Sequence, residues 1–369
     1  DKIKFKESVI WNKLYKFQKD AVVSAINKIE KYNGCIIADS VGLGKTFEAL
    51  AIIKYYEMKN LKVLVLTPKK LYENWSTYKN DYIDNPIAAD KLHYDILFHS
   101  DLSRKRGKTI EGKDLERLNL ENYELLVIDE SHNFRNRDAR KTHETRYNKL
   151  INDIIKKGYK TKVLLLSATP VNNTLIDLKN QLSIITVDDD RAFIDEGISS
   201  ISQLLRKSQM VINDWAREEN KDKQELLDRL PSDFFKLLEM ITIARSRKHI
   251  VTYYGTDEVG TFPEKKEPLT IRNKIDKKDE LVTFREMNDF LDMLNLSIYS
   301  PMKYILPEFK QEYRERFSLD VKEGSSTFYQ EDREESVKKL YKFNILKRME
   351  SSIEALNLTL QRLKEQIVN

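Results

Sequence analysis

The sequence predicts an α/β protein: a doubly wound, mostly parallel sheet followed by a helical region. Three observations carry this. Five short, continuously apolar runs recur between residues 34 and 169, the pattern of strands covered on both faces of a parallel sheet. Helix-length stretches of mixed polarity separate them, the alternation that builds such a sheet. Beyond about residue 185 the strand runs thin out and charged, helix-compatible sequence takes over.

The first strand is read at 34–39 (GCIIAD), apolar and closed by a carboxylate. Further strands are read at 62–68, 94–99, 123–130 and 162–169, with helices at 46–59, 71–80 and 142–157 between them. Functional groups are expected at the C-terminal strand ends, where the chain turns into loops. Residues 199–250 read as two or three helices, and 255–268 (GTDEVGTFPEKKEP) as a turn-rich connector. A short strand candidate follows at 269–272. Residues 277–369 read mostly as helix, broken at Pro301, Pro307 and the polar stretch 323–330. The expected divisions are therefore 1–198, a helical extension at 199–254, a linker at 255–275 and a helical insertion at 276–369. In the last of these, Leu346, Met349, Ile353, Leu356, Leu360, Leu363 and Ile367 alternate spacings of 3 and 4. That is a heptad seam, packed either inside a bundle or between chains.

Length and composition narrow the class. A chain of 369 residues exceeds one ordinary domain. With 40% hydrophobic and 33% charged residues it builds a core. Ten Gly and eight Pro exclude collagen-like or linker-rich chains. No apolar run approaches the ~18 residues of a membrane span, so no membrane partner is expected. One cysteine, Cys35, excludes an intrachain disulfide. It suits a reducing cytoplasmic compartment and reads as a small core hydrophobe. No charged-then-apolar leader is visible. The chain begins at Asp1 rather than Met, so a longer protein is expected. A net charge of +5 permits nucleic-acid binding without demonstrating it.

The strongest motif is DSVGLGKT, residues 39–46, between the first strand and a helix. That context turns a Gly-bearing loop into a phosphate cradle. Gly42 and Gly44 let the backbone bend tightly and bring N–H groups to phosphate oxygens. The helix that follows offers its positive end to the same anion. Lys45 is expected to reach the β- and γ-phosphates of ATP and the Thr46 hydroxyl to ligate Mg²⁺. Asp39, Gly42, Leu43, Gly44, Lys45 and Thr46 make up the expected nucleotide-binding loop.

Asp129 and Glu130 end the apolar strand of LLVIDESH, residues 125–132. Asp129 there is suited to hold Mg²⁺, and Glu130 to act as general base toward water. Ser167, Ala168 and Thr169 end the next strand. They read either as an ordinary strand-to-helix turn or as a hydrogen-bonded link from the nucleotide site to a neighbouring surface.

In this order the pieces resemble helicase superfamily 2, and within it the Swi/Snf-like double-stranded DNA translocases. YKFQ, residues 15–18, is similar to the family's adenine-reading segment, which assigns that role to Gln18. DSVGLGKT is similar to the family's D-E-x-G-x-G-K-T, with Ser40 departing from the usual Glu. VLVLTPKKLYENW (63–75) resembles the motif ending in Pro68, Leu71 and Trp75. DESH matches the Asp-Glu-x-His box, and LLLSATPVNN the Ser-Ala-Thr motif with Pro170 and Asn173. The segments RSRKHI (245–250) and FPEK (262–265) are similar to the basic segment and crossover leaving the first lobe. The stretch 339–363 resembles, more weakly, one that precedes the second lobe in a bacterial helicase-like subgroup. The resemblance spans roughly residues 11–275. It implies a RecA-like lobe that hydrolyses ATP with Mg²⁺, with His132, Ser167, Ala168 and Thr169 coupling nucleotide to DNA. It also implies a second RecA-like lobe carrying an arginine finger. No such motif is found between 269 and 369, so the chain alone is expected to be inactive or very weak.

Nucleic-acid contacts are expected at Arg104, Lys105 and Arg106, and at Arg135 and Arg137; a solvated charged face is the equal alternative for each stretch. No base-reading motif is present, so binding should ignore sequence. Trp75 reads as core rather than as a base-stacking platform. Two other functions stay open: the motor subunit of a restriction or phage-defence nuclease, and a nucleotide-gated scaffold whose helical half binds a partner.

Overall fold

The computed structural model describes residues 4–79, 84–104, 106–134, 146–158, 161–171, 174–218, 222–256, 259–263, 266–270, 282–294, 299–317, 319–320, 327–328 and 330–368. The chain separates into two compact units, Asp1–Glu264 and Lys265–Asn369.

The first unit is built on strands β1 (Gly34–Ile37), β2 (Val63–Thr67), β3 (Asp95–Phe98), β4 (Leu125–Ile128), β5 (Lys162–Leu166) and β6 (Thr242–Ile243). They form one six-stranded sheet in the order β3-β2-β4-β5-β1-β6, every neighbouring pair parallel. The helices are α1 (Val9–Lys13), α2 (Lys16–Tyr32), α3 (Lys45–Glu57), α4 (Tyr72–Lys79), α5 (Arg146–Lys149, continued by a π-helical turn to Ile155), α6 (Leu175–Ile185), α7 (Ile201–Arg217), α8 (Lys223–Arg229), α9 (Ser232–Ile241) and α10 (Arg247–Tyr254).

Alternation along each strand supplies two cores. Leu126 and Ile128 of β4 face one side, with Leu178 and Leu182 of α6 and Leu237 of α9. Leu125 and Val127 face the other, with Ala25 and Ile29 of α2 and Leu50 and Ile53 of α3. Each fully buried aliphatic side chain contributes about 1.5–3 kcal/mol. The chain therefore leaves β1 toward one face through α3 and leaves the adjacent β5 toward the other through α6. The crevice between their C-terminal ends is a topological switch point, where α/β sheets hold ligands.

The structure departs from the sequence reading at four places, the first being four helices among the described residues, α7 to α10, where two or three were read. Strand β6 lies within the stretch read as helices only; two residues are too short for a periodic signal, yet they pair with β1. Leu269 and Thr270, read as the start of a strand, lie outside any strand. The heptad seam is split at Ser352 into two helices rather than one.

The second unit comprises α11 (Phe284–Met293), α12 (Lys310–Phe317), a small antiparallel pair β7 (Leu319–Asp320) and β8 (Thr327–Phe328), α13 (Gln330–Ser351) and α14 (Ile353–Val368). Strand β7 precedes the polar stretch 323–330 read as a helix break, and β8 falls within it. Thr283 and Glu286 cap α11 reciprocally. Leu291, Ile345 and Leu356 form the unit's core, joined by Leu346, Met349 and Leu360 of the seam. Ile353, also of the seam, is exposed. Among the described residues no helix is long and apolar enough to cross a membrane.

Candidate active site

The loop between β1 and α3 takes the shape its glycines permit. Gly42 and Gly44 both have φ of +85°, a region that side chains with a Cβ rarely adopt. A Cβ on Gly44 would lie 2.4 Å from Nε2 of Gln18. The Gln18 amide fills that space: Nε2 donates to the Leu43 carbonyl (3.0 Å), and Oε1 accepts from the Tyr15 N–H (3.1 Å). Gln18 is thus buried against the loop it was expected to flank. Lys45 opens α3 and donates from Nζ to the Asp39 carbonyl (2.8 Å); Thr46 follows it in the first turn.

Asp39 points inward. Its carboxylate receives the Arg245 backbone N–H (2.9 Å) and the Arg245 guanidinium, from Nε (3.2 and 3.0 Å) and Nη2. The same guanidinium donates to Glu48 of α3 and to the Phe17 carbonyl, and stacks on the Phe17 ring. Ser40 N–H closes the link by donating to the Arg245 carbonyl (2.9 Å). Burial would lower the Arg245 guanidinium pKa, but the Asp39 and Glu48 carboxylates outweigh it and raise it. Burial pushes Glu48 up to about 8 against the pull of Arg245, with Asp39 adding to the rise. Burial thus favours the protonated form of Glu48 beside the buried pair of Asp39 and Arg245. Arg245, read from sequence as one of a basic run, is buried and unavailable to a nucleic acid.

Across the crevice, Asp129 and Glu130 follow β4. Trp75 of α4, fully buried, donates its indole N–H to Asp129 Oδ2 (2.9 Å), while Oδ1 accepts the Glu130 N–H (2.9 Å). Burial raises the Asp129 carboxyl pKa; Glu130 adds to this, while Trp75 and the charge of Lys45 oppose it. Glu130 has φ of +51°, a strained value for a residue with a side chain. Such strain collects at functional sites and is held by the surrounding structure.

The strand end of β5 is tied to this acid pair. His132 Nδ1 lies 3.1 Å from Glu130 Oε2 and 3.3 Å from Ser167 Oγ. Ser167 is buried and its Oγ accepts the Thr169 N–H (3.2 Å); Ala168 lies between them and is half-buried. A second link runs beneath. Ser131 Oγ donates to Gln181 Oε1 (2.8 Å), and Gln181 Nε2 donates to the Pro170 carbonyl (2.5 Å).

The expected residues of the two halves are thus brought to one crevice. Arg104 is ion-paired with Asp101, and Arg106 with Glu116 (3.0 Å). Lys105, Arg135, Arg137 and Asn173 lie outside the described residues. Sequence reasoning gave no role to Trp75, Gln181 or Glu48 in this site. A glutamine inside the apolar face of LIDLKNQLSII was the one local signal available for Gln181.

Residues 17–196 match the SNF2-related domain. The ATP-dependent helicase YqhH of Bacillus subtilis (strain 168), named as uncharacterized, is 33% identical over 165 residues, 42% of this chain and 27% of that protein. The mouse DNA annealing helicase and endonuclease ZRANB3 is 27% identical over 169 residues, 43% of this chain and 14% of its own. Among solved structures, the Sulfolobus solfataricus SWI2/SNF2 ATPase core in complex with dsDNA aligns with a TM-score of 0.39 and 20% identity, over 63% of this chain and 44% of that one. The matched part of the chain spans no more than 27% of the length of these two curated relatives.

Proposed function

We propose that the chain, whose residues 17–196 match the SNF2-related domain, is the nucleotide-binding lobe of an ATP-dependent DNA translocase. The observation that carries this reading is the set of contacts at His132 Nδ1, to Glu130 Oε2 and to Ser167 Oγ, which joins the acid pair to the strand beside the 39–46 loop.

The residues fit a nucleotide with its metal. The φ of +85° at both Gly42 and Gly44 gives the loop the tight bend that a phosphate cradle needs. The partly desolvated Asp129 carboxylate and the Thr46 hydroxyl are hard oxygen donors of the kind Mg²⁺ takes. Thr46 and Asp129 would hold the metal, which when bound neutralises charge on the β- and γ-phosphates. Lys45 would swing from the Asp39 carbonyl to the phosphates. Gln18 would bind adenine, its amide already oriented by Tyr15 and Leu43. Glu130 would orient a water for in-line attack and take its proton. His132, shared between Glu130 and Ser167, would report the occupancy of that carboxylate to the 167–169 segment. The nucleic acid is double-stranded DNA bound through its backbone, in a bacterial or archaeal cytosol. A second RecA-like lobe, from the remainder of a longer protein, completes the cleft.

The test is ATP binding and turnover by this chain, with and without duplex DNA, beside Glu130→Gln. The expected result is Lys45-dependent binding with turnover near background. Absence of ATP binding overturns the reading. DNA-stimulated turnover that Glu130→Gln abolishes overturns the need for a second lobe.

A further inference from the structure

The second unit contains a cavity of about 490 Å³ lined by Lys303, Lys310, Lys338, Lys339 and Lys342. Five lysines face three carboxylates there, an excess of two positive charges. The carboxylates are committed. Asp292 pairs with Lys342 (2.8 Å) and Glu335 with Lys339 (3.0 Å). Glu334 is buried and accepts the Met302 N–H (3.1 Å), which fixes the floor beside the buried Ser300. The ammonium groups of Lys303, Lys310 and Lys338 have no ion pair or hydrogen bond among the described residues. Partial burial and the charges of Lys303 and Lys342 hold the Lys338 ammonium below its usual range. Cations crowded in this way repel one another unless an anion sits between them. Lysine ammonium groups act as point charges toward phosphate, which needs no bidentate geometry.

We propose that this cavity is a phosphate-binding site, taking a group with at least two negative charges. The inference concerns the second unit and stands independently of the nucleotide-lobe reading. Two sources share this chemistry: consecutive phosphates of a nucleic-acid backbone, and a free diphosphate.

The experiment uses the full chain carrying Lys45→Ala, which silences the phosphate loop. Inorganic pyrophosphate is titrated calorimetrically into that protein and into the same protein with Lys303→Gln and Lys338→Gln. The expected result is binding to one site, weakened about tenfold or more by the two substitutions and retained with Lys303→Arg and Lys338→Arg. Unchanged thermal unfolding shows that the glutamine variant folds. In parallel, the Lys338 side-chain amine signal should titrate upward when pyrophosphate is added to the otherwise unaltered chain. Equal affinity with and without the glutamines, or no pyrophosphate binding, overturns the proposal. A short duplex that competes with pyrophosphate, and whose salt slope falls by about 2 in the glutamine variant, identifies the nucleic-acid backbone as the source. A duplex affinity that ignores the substitutions, beside pyrophosphate binding that does not, identifies a free diphosphate.

Discussion

The guanidinium of Arg245 closes on both carboxylate oxygens of Asp39, 206 residues earlier in the chain. The pair joins the end of β1 to the β6–α10 junction, and through the Phe17 carbonyl to the segment that carries Gln18. Removing one partner of a buried pair strands the other charge, at a cost of about 3–5 kcal/mol. Arg245→Ala should therefore lower stability by that order in urea unfolding and weaken ATP binding. Arg245→Lys should recover part of the stability, because one ammonium cannot reach Asp39, Glu48 and the Phe17 carbonyl together. Equal unfolding midpoints for Arg245→Ala and the unaltered chain would refute this view of the pair.

Glu48 makes the same cluster sensitive to pH. Its carboxyl is pushed from 4.5 up to about 8 in the folded chain. The folded state then binds more protons than the unfolded state within that window, so this group's contribution to stability declines as pH rises from about 4.5 toward 8. Glu48→Gln imitates the protonated form. The difference in stability between variant and unaltered chain should be small at pH 5 and grow in favour of the variant toward pH 8, read as a widening gap in melting temperature. A gap that does not depend on pH would show that Glu48 stays ionised.

Trp75 couples the core to the acid pair. Trp75→Phe keeps most of the packing and removes the donor to Asp129 Oδ2. Supporting hydrogen bonds of this kind are worth about 10–100-fold in metal affinity. The Mg²⁺ concentration needed for half-maximal ATP binding should rise about tenfold, with ATP binding at saturating Mg²⁺ little changed. An unaltered Mg²⁺ midpoint would leave Trp75 as core packing alone.

Gln181 spans the acid box and the tail of the 167–169 segment through Ser131 and the Pro170 carbonyl. Gln181→Leu removes both contacts within an apolar surround. ATP binding should persist, while the ratio of duplex affinities with and without ATP should collapse toward one. Typical couplings between sites are about 1–3 kcal/mol, so the change is measurable by fluorescence anisotropy. A preserved ratio would place the coupling in the His132–Ser167 contact instead.

These four side chains show where the sequence was readable. The loop at 39–46 and the acidic box at 129–132 are contiguous stretches, and the chemistry proposed for each is legible in its spacing alone. The alternation of apolar runs with helices likewise reveals five of the six strands. Arg245, Trp75 and Gln181 act on partners 206, 54 and 50 residues away, and no local pattern encodes such pairings. Strand β6 escaped because two residues carry no period, although it is the strand that delivers Arg245.

The central claim is that the crevice between β1, β5 and β4 binds Mg–ATP. Equilibrium titration with a fluorescent ATP analogue tests it most directly, using the unaltered chain, Lys45→Ala and Glu130→Gln. Saturable, Mg²⁺-dependent binding by the unaltered chain and Glu130→Gln, lost in Lys45→Ala, is the predicted result. Equal binding by Lys45→Ala, or no binding by the unaltered chain, would contradict it.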